Sequence, residues 1–210
     1  MTAPPVPTRA ERKEHSATAT HARILDAARA TLLAEGYANV STRRVAEAAD
    51  VPLSQIHYHF KSKQELILAV LASQNERLLE RQTAMFAGAE PLWQRWQRAC
   101  EFFEEDLESG YVRVLQELIA AGWSDPVLAA SVREQLAVWF TLLTVVAERE
   151  RQRLGPFAPS EIAALMGLAF LGAEAAILLG IPESEVPTRA ALNKVGLVLR
   201  EITDKGGTNT

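Results

Sequence analysis

Chemistry-bearing side chains crowd into one short stretch, STRRVAEAADVPLSQIHYHFKSK, at residues 41–63: Arg43 and Arg44, then Ser54, Gln55, His57, Tyr58 and His59, then Lys63. These types suit recognition through hydrogen bonds and charge rather than the making or breaking of bonds. His57 and His59 have the spacing of a metal-binding pair, but no third Cys, Asp or Glu ligand stands beside them, so no metal centre is expected. The single cysteine, Cys100, lies on an apolar helical face far in sequence from any histidine, and no nucleophile is paired with a base. Neither catalysis nor a cofactor is therefore expected. All four histidines (His15, His21, His57, His59) fall within residues 1–65, where nine basic side chains stand against seven acidic ones. That segment carries +2; the whole chain is −4, which leaves −6 for the remainder. A basic end on an acidic body is the distribution expected when one end alone meets phosphate.

Three short helices must hold those side chains. Ile24, Ala27, Ala28, Thr31 and Leu32 repeat at helical spacing over residues 20–35, and Gly36 follows where a left-handed C-cap falls. Ser41 offers the cap of a second helix that buries Val45, Ala46 and Ala49 and ends near Asp50. Pro52 suits the first turn of a third, LSQIHYHF, whose Leu53, Ile56 and Phe60 can face inward. Ser62 and Glu65 then form a capping box ahead of a long fourth helix with Leu66, Ile67, Val70, Leu71 and Leu78. Two short helices across a tight turn, flanked by a third before and a long one behind, match a tri-helical DNA-reading arrangement. In that setting Leu53, Ser54, Gln55 and His57 face base edges in the major groove. Gln55 can pair with adenine and Leu53 can touch a thymine methyl. Tyr58 and His59 reach the backbone through their polar tips, and Arg43 and Arg44 add charge and a base contact.

Beyond that head the pattern stays helical. Trp93, Trp96, Cys100, Phe103 and Leu107 define a fifth helix stopped by Ser109 and Gly110. A sixth covers about residues 111–123, with Val112, Leu115, Ile119 and Trp123 on one side. Asp125 and Pro126 cap a seventh, which carries Leu128, Val132, Leu136, Trp139, Leu143 and Val146. Gly155 to Pro159 ends that stretch, and two more helices follow at about residues 160–179 and 187–203. No run alternates over strand length, so the fold class is all-α with nine helices.

Composition agrees with a globular chain: 48% hydrophobic, 23% charged, and one cysteine, which excludes an internal disulfide and makes the cytoplasm the expected compartment. Residues 1–18, with three prolines among many charges, read as a flexible arm without a signal peptide, and the polar residues 204–210 as a disordered tail. Residues 162–181 approach the length of a bilayer span, but Glu174 sits inside them and no basic cluster flanks them. A buried or interfacial helix is expected, not a membrane segment.

The run GYANVSTRRVAEAADVPLSQIHYHFKSKQEL closely resembles the DNA-binding domain of the TetR family of transcriptional regulators. Gly36-Tyr37, Ser41-Thr42, Val45-Ala46, Val51, His57-Tyr58-His59-Phe60 and Lys63 to Leu66 occupy that family's pattern in order. Two positions depart from it. Pro52 stands where a serine is common, removing a phosphate-binding hydroxyl, and Ser54 stands where glycine is usual, adding a hydroxyl near the DNA. The resemblance spans residues 19–79, with the helix-turn-helix at about 41–60, and implies a helical ligand-binding and dimerisation domain over 80–203. It implies that Ser41 and Thr42, at the start of the second helix, and Lys63, at the start of the fourth, hold phosphates on either side of the groove. Tyr37 is expected to pack under the domain.

The same resemblance implies a four-helix dimer interface made by the last two helices of each subunit. Ala169, Gly172, Ala173, Ala176 and Gly180 form a strip of small residues along the eighth helix, where another helix can approach closely. Trp93, Trp96, Phe103, Trp123, Trp139 and Phe140 fall in the fifth to seventh helices, where related regulators enclose their ligands. With Gln116 as a polar anchor, they suggest a small hydrophobic or aromatic effector. The function expected is a repressor released from a palindromic operator by that effector. The rival classes are a helical enzyme and an interaction module that never touches DNA.

Overall fold

The structure is a computed structural model that describes residues 9–206, and their side chains except those of residues 9–14, 16, 205 and 206. Nine α-helices account for nearly all of it, in the order α1 (Arg9–Glu35), α2 (Thr42–Ala48), α3 (Leu53–His59), α4 (Lys63–Phe86), α5 (Leu92–Ser109), α6 (Tyr111–Gly122), α7 (Pro126–Glu148), α8 (Pro159–Leu178) and α9 (Thr188–Gly206). A single 3-10 turn, Arg151–Arg153, lies between α7 and α8. No strand occurs among the described residues.

The helix ends follow from local chemistry. Gly36, at φ 75°, and Gly110, at φ 80°, take the left-handed conformation that ends α1 and α5. Ser41 caps α2 by accepting from the Arg44 N–H, and Asp125 Oδ1 caps α7 by accepting from the N–H groups of Val127 and Leu128. Ser62 accepts from the Glu65 N–H as expected, but Glu65 reaches back to the Lys61 N–H instead of that of Ser62.

Two boundaries differ from the sequence reading. α1 begins at Arg9, so residues 9–18 are helical rather than part of an arm. The last proline of the leader is Pro7, and RAERKEHSAT after it is rich in good helix formers, so nothing interrupts the helix there. α9 likewise runs to Gly206 through the start of the expected tail. Residues 1–8 and 207–210, the rest of the expected arm and tail, lie outside the described residues.

The chain divides at Leu71/Ala72, inside α4, into two compact units. In the first, Ile24, Leu32, Val45, Ile56, Leu66 and Ile67 are essentially inaccessible and form the core on which α2 and α3 are mounted. In the second, α5 pairs with α9, and α7 packs against α6 and α8. Side chains of α4 beyond Leu71 belong to that packing. Asn75 accepts from the Tyr111 hydroxyl, Arg81 pairs with Asp106, and Gln82 accepts from the Trp139 indole N–H. These partners explain why the division precedes residue 79.

Candidate nucleic-acid interface

On α3, burial separates two faces. Ile56 and Phe60 are sealed in the core and Leu53 is half-buried, whereas Ser54, Gln55, His57 and Tyr58 are exposed. The turn before α3 depends on Asp50, the one described non-glycine residue with positive φ, at 50°. A short polar side chain tolerates that region better than a bulky one. Gln55 and Tyr58 open onto a groove of about 500 Å³, whose lining also includes Thr20 and Arg23 of α1. Arg23 is exposed beside the recognition residues, and sequence reasoning missed it. Its only signal was its position on the exposed side of α1, next to the buried Ile24.

His59 is half-buried against His21, at 5.5 Å between ring centroids, and against Phe60. Burial, with the imidazole of His21 beside it, lowers its pKa and favours the uncharged ring. Its Nε2 is buried without a hydrogen-bond partner among the described residues. The structure thus seats His59 under the groove, not out at the backbone beside the exposed Tyr58.

The cations flanking α3 differ in how they are held. Ser41 Oγ is occupied as the α2 cap, with the half-buried Thr42 beside it. Arg44 is ion-paired to Glu35, while Arg43 is exposed and has no ion pair among the described residues. Lys63 lies 4.4 Å from the centroid of the Tyr37 ring and donates to the Ala38 carbonyl at 3.3 Å. Tyr37 is therefore the seat of this lysine, and partial burial there lowers the lysine's pKa. An ammonium steadied in this way loses little freedom on meeting a phosphate. Lys63→Ala should weaken binding to every duplex alike and lower the slope of log affinity against log salt by about 1. A salt titration with an unchanged slope would remove Lys63 from the phosphate clamp.

Residues 24–70 match the family model described as "Bacterial regulatory proteins, tetR family". Over that segment, which holds α2 and α3, the chain matches the TetR family. It is similar over 180 residues to the HTH-type transcriptional regulator UidR of Escherichia coli (strain K12), with 24% identity covering 82% of this chain and 86% of the relative. Solved structures with the same fold include a TetR-family regulator from Agrobacterium tumefaciens (TM-score 0.72, 18% identity, 89% of this chain and 99% of that one). A regulator from Saccharomonospora viridis in complex with choline superposes with a TM-score of 0.70 at 20% identity, over 84% of this chain and 95% of that one. FadR from Bacillus subtilis in complex with stearoyl-CoA gives 0.72 at 15%, over 85% and 97%. The relatives are transcriptional regulators rather than enzymes, and this chain carries the helix-turn-helix segment of such regulators.

In the second unit, the seven residues expected around an effector are dispersed. Trp96 is fully buried, its indole N–H donating to the Leu192 carbonyl of α9 at 2.7 Å, and it shares Phe170 of α8 with Phe103. Trp93 turns toward Arg200 of α9. Trp139 and Phe140 touch each other, and Phe140 fills the space that a side chain at Gly167 would need. Trp123 is 84% exposed just beyond the end of α6, away from any such group. Gln116 donates to Glu174 at 2.7 Å, joining two residues the sequence reading treated separately.

The strip of small residues on α8 is also split. Ala173 faces the core, Ala169 and Ala176 are half-buried, and Gly172 is exposed with open space around it. Gly180 lies past the helix at φ 72°, where it serves to turn the chain. Within the unit, Gly167 leaves the space that the Phe140 ring of α7 occupies. Cys100 is buried, and burial lifts its thiol pKa to about 11, which keeps it protonated and unreactive at neutral pH. Among the described residues no three His, Cys, Asp or Glu side chains converge as a metal ion would require.

Proposed function

We propose that this regulator is a cytoplasmic homodimeric repressor that reads a palindromic operator with α3 and leaves it when a small, largely apolar effector binds the helical domain after the head. The observation that carries the reading is the outward set on α3: Ser54, Gln55 and His57 are free to meet base edges while Ile56 beneath them fixes the helix to the core. The phosphate contacts fall to Thr42, Arg43 and Lys63, with Arg44, Tyr58 and the unanticipated Arg23 at the margins of the groove.

Dimerisation through α8 and α9 is supported by apolar side chains that a lone subunit leaves in water. Leu165 and Leu168 of α8 and Leu197 and Val198 of α9 are each more than half exposed, with the small Gly172 among them. Two helices, α7 and α8, are long and apolar enough by composition to cross a bilayer. We assign the apolar exposure of α8 to a subunit partner, because its Glu174 is buried against Gln116 within the unit. Two-fold pairing sets two recognition helices about one DNA turn apart. An effector then acts by binding the DNA-incompetent arrangement more tightly, and can shift the population only by that difference in affinity.

The test is a binding titration on the duplex upstream of the protein's own gene, with each base pair of the half-site varied in turn. Gln55→Ala should relax preference at one base pair, at a cost of about 1–3 kcal/mol on the best sequence, and leave the other positions unaffected. Unaltered specificity would mean that α3 does not read bases through Gln55.

A further inference from the structure

Between Glu161 and its end at Leu178, α8 carries a single ionisable residue, Glu174, and that residue is 6% exposed. Its carboxylate accepts one hydrogen bond, from Gln116 Nε2, and no lysine or arginine pairs with it among the described residues. The ionisable groups that feel it, Tyr111 and Asp106, are both acids, and Asp106 already holds Arg81. A lone carboxylate in such a place is costly, and burial lifts its pKa to about 7. The side chain one turn earlier on the same face is Phe170, in contact with Trp96 at 4.8 Å and with Phe103 at 5.5 Å between ring centroids. The π faces of such rings carry partial negative charge and attract cations, especially where water is excluded.

We propose that Glu174 is the anionic anchor of the effector site, and that the effector is an organic cation, an ammonium on a compact apolar body. The carboxylate takes the positive charge, Gln116 holds the carboxylate in orientation, and the Phe170, Phe103 and Trp96 cluster takes the N-alkyl or aryl groups. Two features agree on the sign of the ligand: an acid without a counter-cation, and aromatic faces beside it. A neutral arene would leave the carboxylate stranded, and an anion would meet the carboxylates of Glu174 and Asp106. The proposal rests on the reading of the second unit as an effector domain and adds to it the charge of the ligand and the residue that meets it.

The experiment is isothermal titration calorimetry of the full chain at pH 8, with three probes: benzyltrimethylammonium, its uncharged carbon isostere neopentylbenzene, and benzoate. The cation should bind at least tenfold more tightly than the neutral isostere, and benzoate should not bind measurably. In Glu174→Gln, checked by circular dichroism for native helix content, the cation should fall to the affinity of the neutral isostere. Equal binding of cation and isostere by the native chain, or an undiminished preference for the cation in Glu174→Gln, overturns the assignment of charge and leaves the effector reading intact. Absence of cation binding up to millimolar concentration overturns it as well. If the cation binds through Glu174 but leaves operator affinity unchanged, the cation site stands and the effector reading falls.

Discussion

Replacing Trp96 by alanine should lower stability by about 3–5 kcal/mol and the melting temperature by on the order of 10 °C. The indole is completely buried, bonded to the Leu192 carbonyl and set against Phe170. It fits because α9 has Gly196 opposite: a Cβ there would come within 3.2 Å of the Trp96 ring. Removing the ring therefore leaves a cavity between α5 and α9 and loosens the helix that carries Leu197 and Val198, so dimerisation and operator affinity should fall with stability. Trp123→Ala is the internal contrast. That side chain is 84% exposed, and its loss should stay within about 0.5 kcal/mol. Thermal denaturation of the two variants checks both statements, and comparable losses would contradict the placement of α5 against α9.

The second large effect concerns Glu174. Its pKa in the folded chain is about 7 against an ordinary 4.5, so between those values the folded state holds a proton that the unfolded state has released. Stability is therefore greatest below about pH 4.5 as far as this group is concerned, declines as pH rises toward 7, and stays low above it. The size of the decline is roughly 3 kcal/mol. Glu174→Gln keeps the shape and the contact with Gln116 but removes the charge, so the variant should be more stable than the parent by roughly that amount at pH 8 and nearly equal to it at pH 4.5. Tyr111 keeps its proton across this range, and Asp106 is present in both proteins. Chemical denaturation across that pH range is the measurement, and a constant difference with pH would contradict it. A gain in stability on neutralising this acid would also mean that the native chain retains a costly group, as binding sites commonly do.

Helix ends and the outward face of α3 were open to inspection in the sequence because each rests on chemistry within a few residues. Gly36 and Gly110 supply positive φ, Ser41 and Asp125 supply caps, and the spacing of Ile56 and Phe60 dictates that Gln55 and His57 point the other way. What periodicity cannot supply is the identity of a neighbour. Trp93, Trp96, Trp123 and Trp139 look alike as a group in the sequence, yet one lies under α9, one lies along α9, one meets Gln82, and one stands in solvent because α6 ends at Gly122. The same holds for Gln116 with Glu174, for Lys63 on Tyr37, and for Gly167 under Phe140, all pairings across elements. The long α1 escaped notice for another reason: residues 9–18 have helix-forming composition but no apolar stripe by which periodicity could detect them.

The most direct test of the regulator is fluorescence anisotropy of the full-length protein with the duplex upstream of its own gene, between 50 and 200 mM salt, beside a scrambled duplex. Log affinity should fall linearly with log salt, as counterions leave several neutralised phosphates, and the native duplex should bind at least about 10³-fold more tightly than the scrambled one. Binding that is absent at low salt, or that ignores both salt and sequence, would contradict the assignment of α2 and α3 as a reader of DNA.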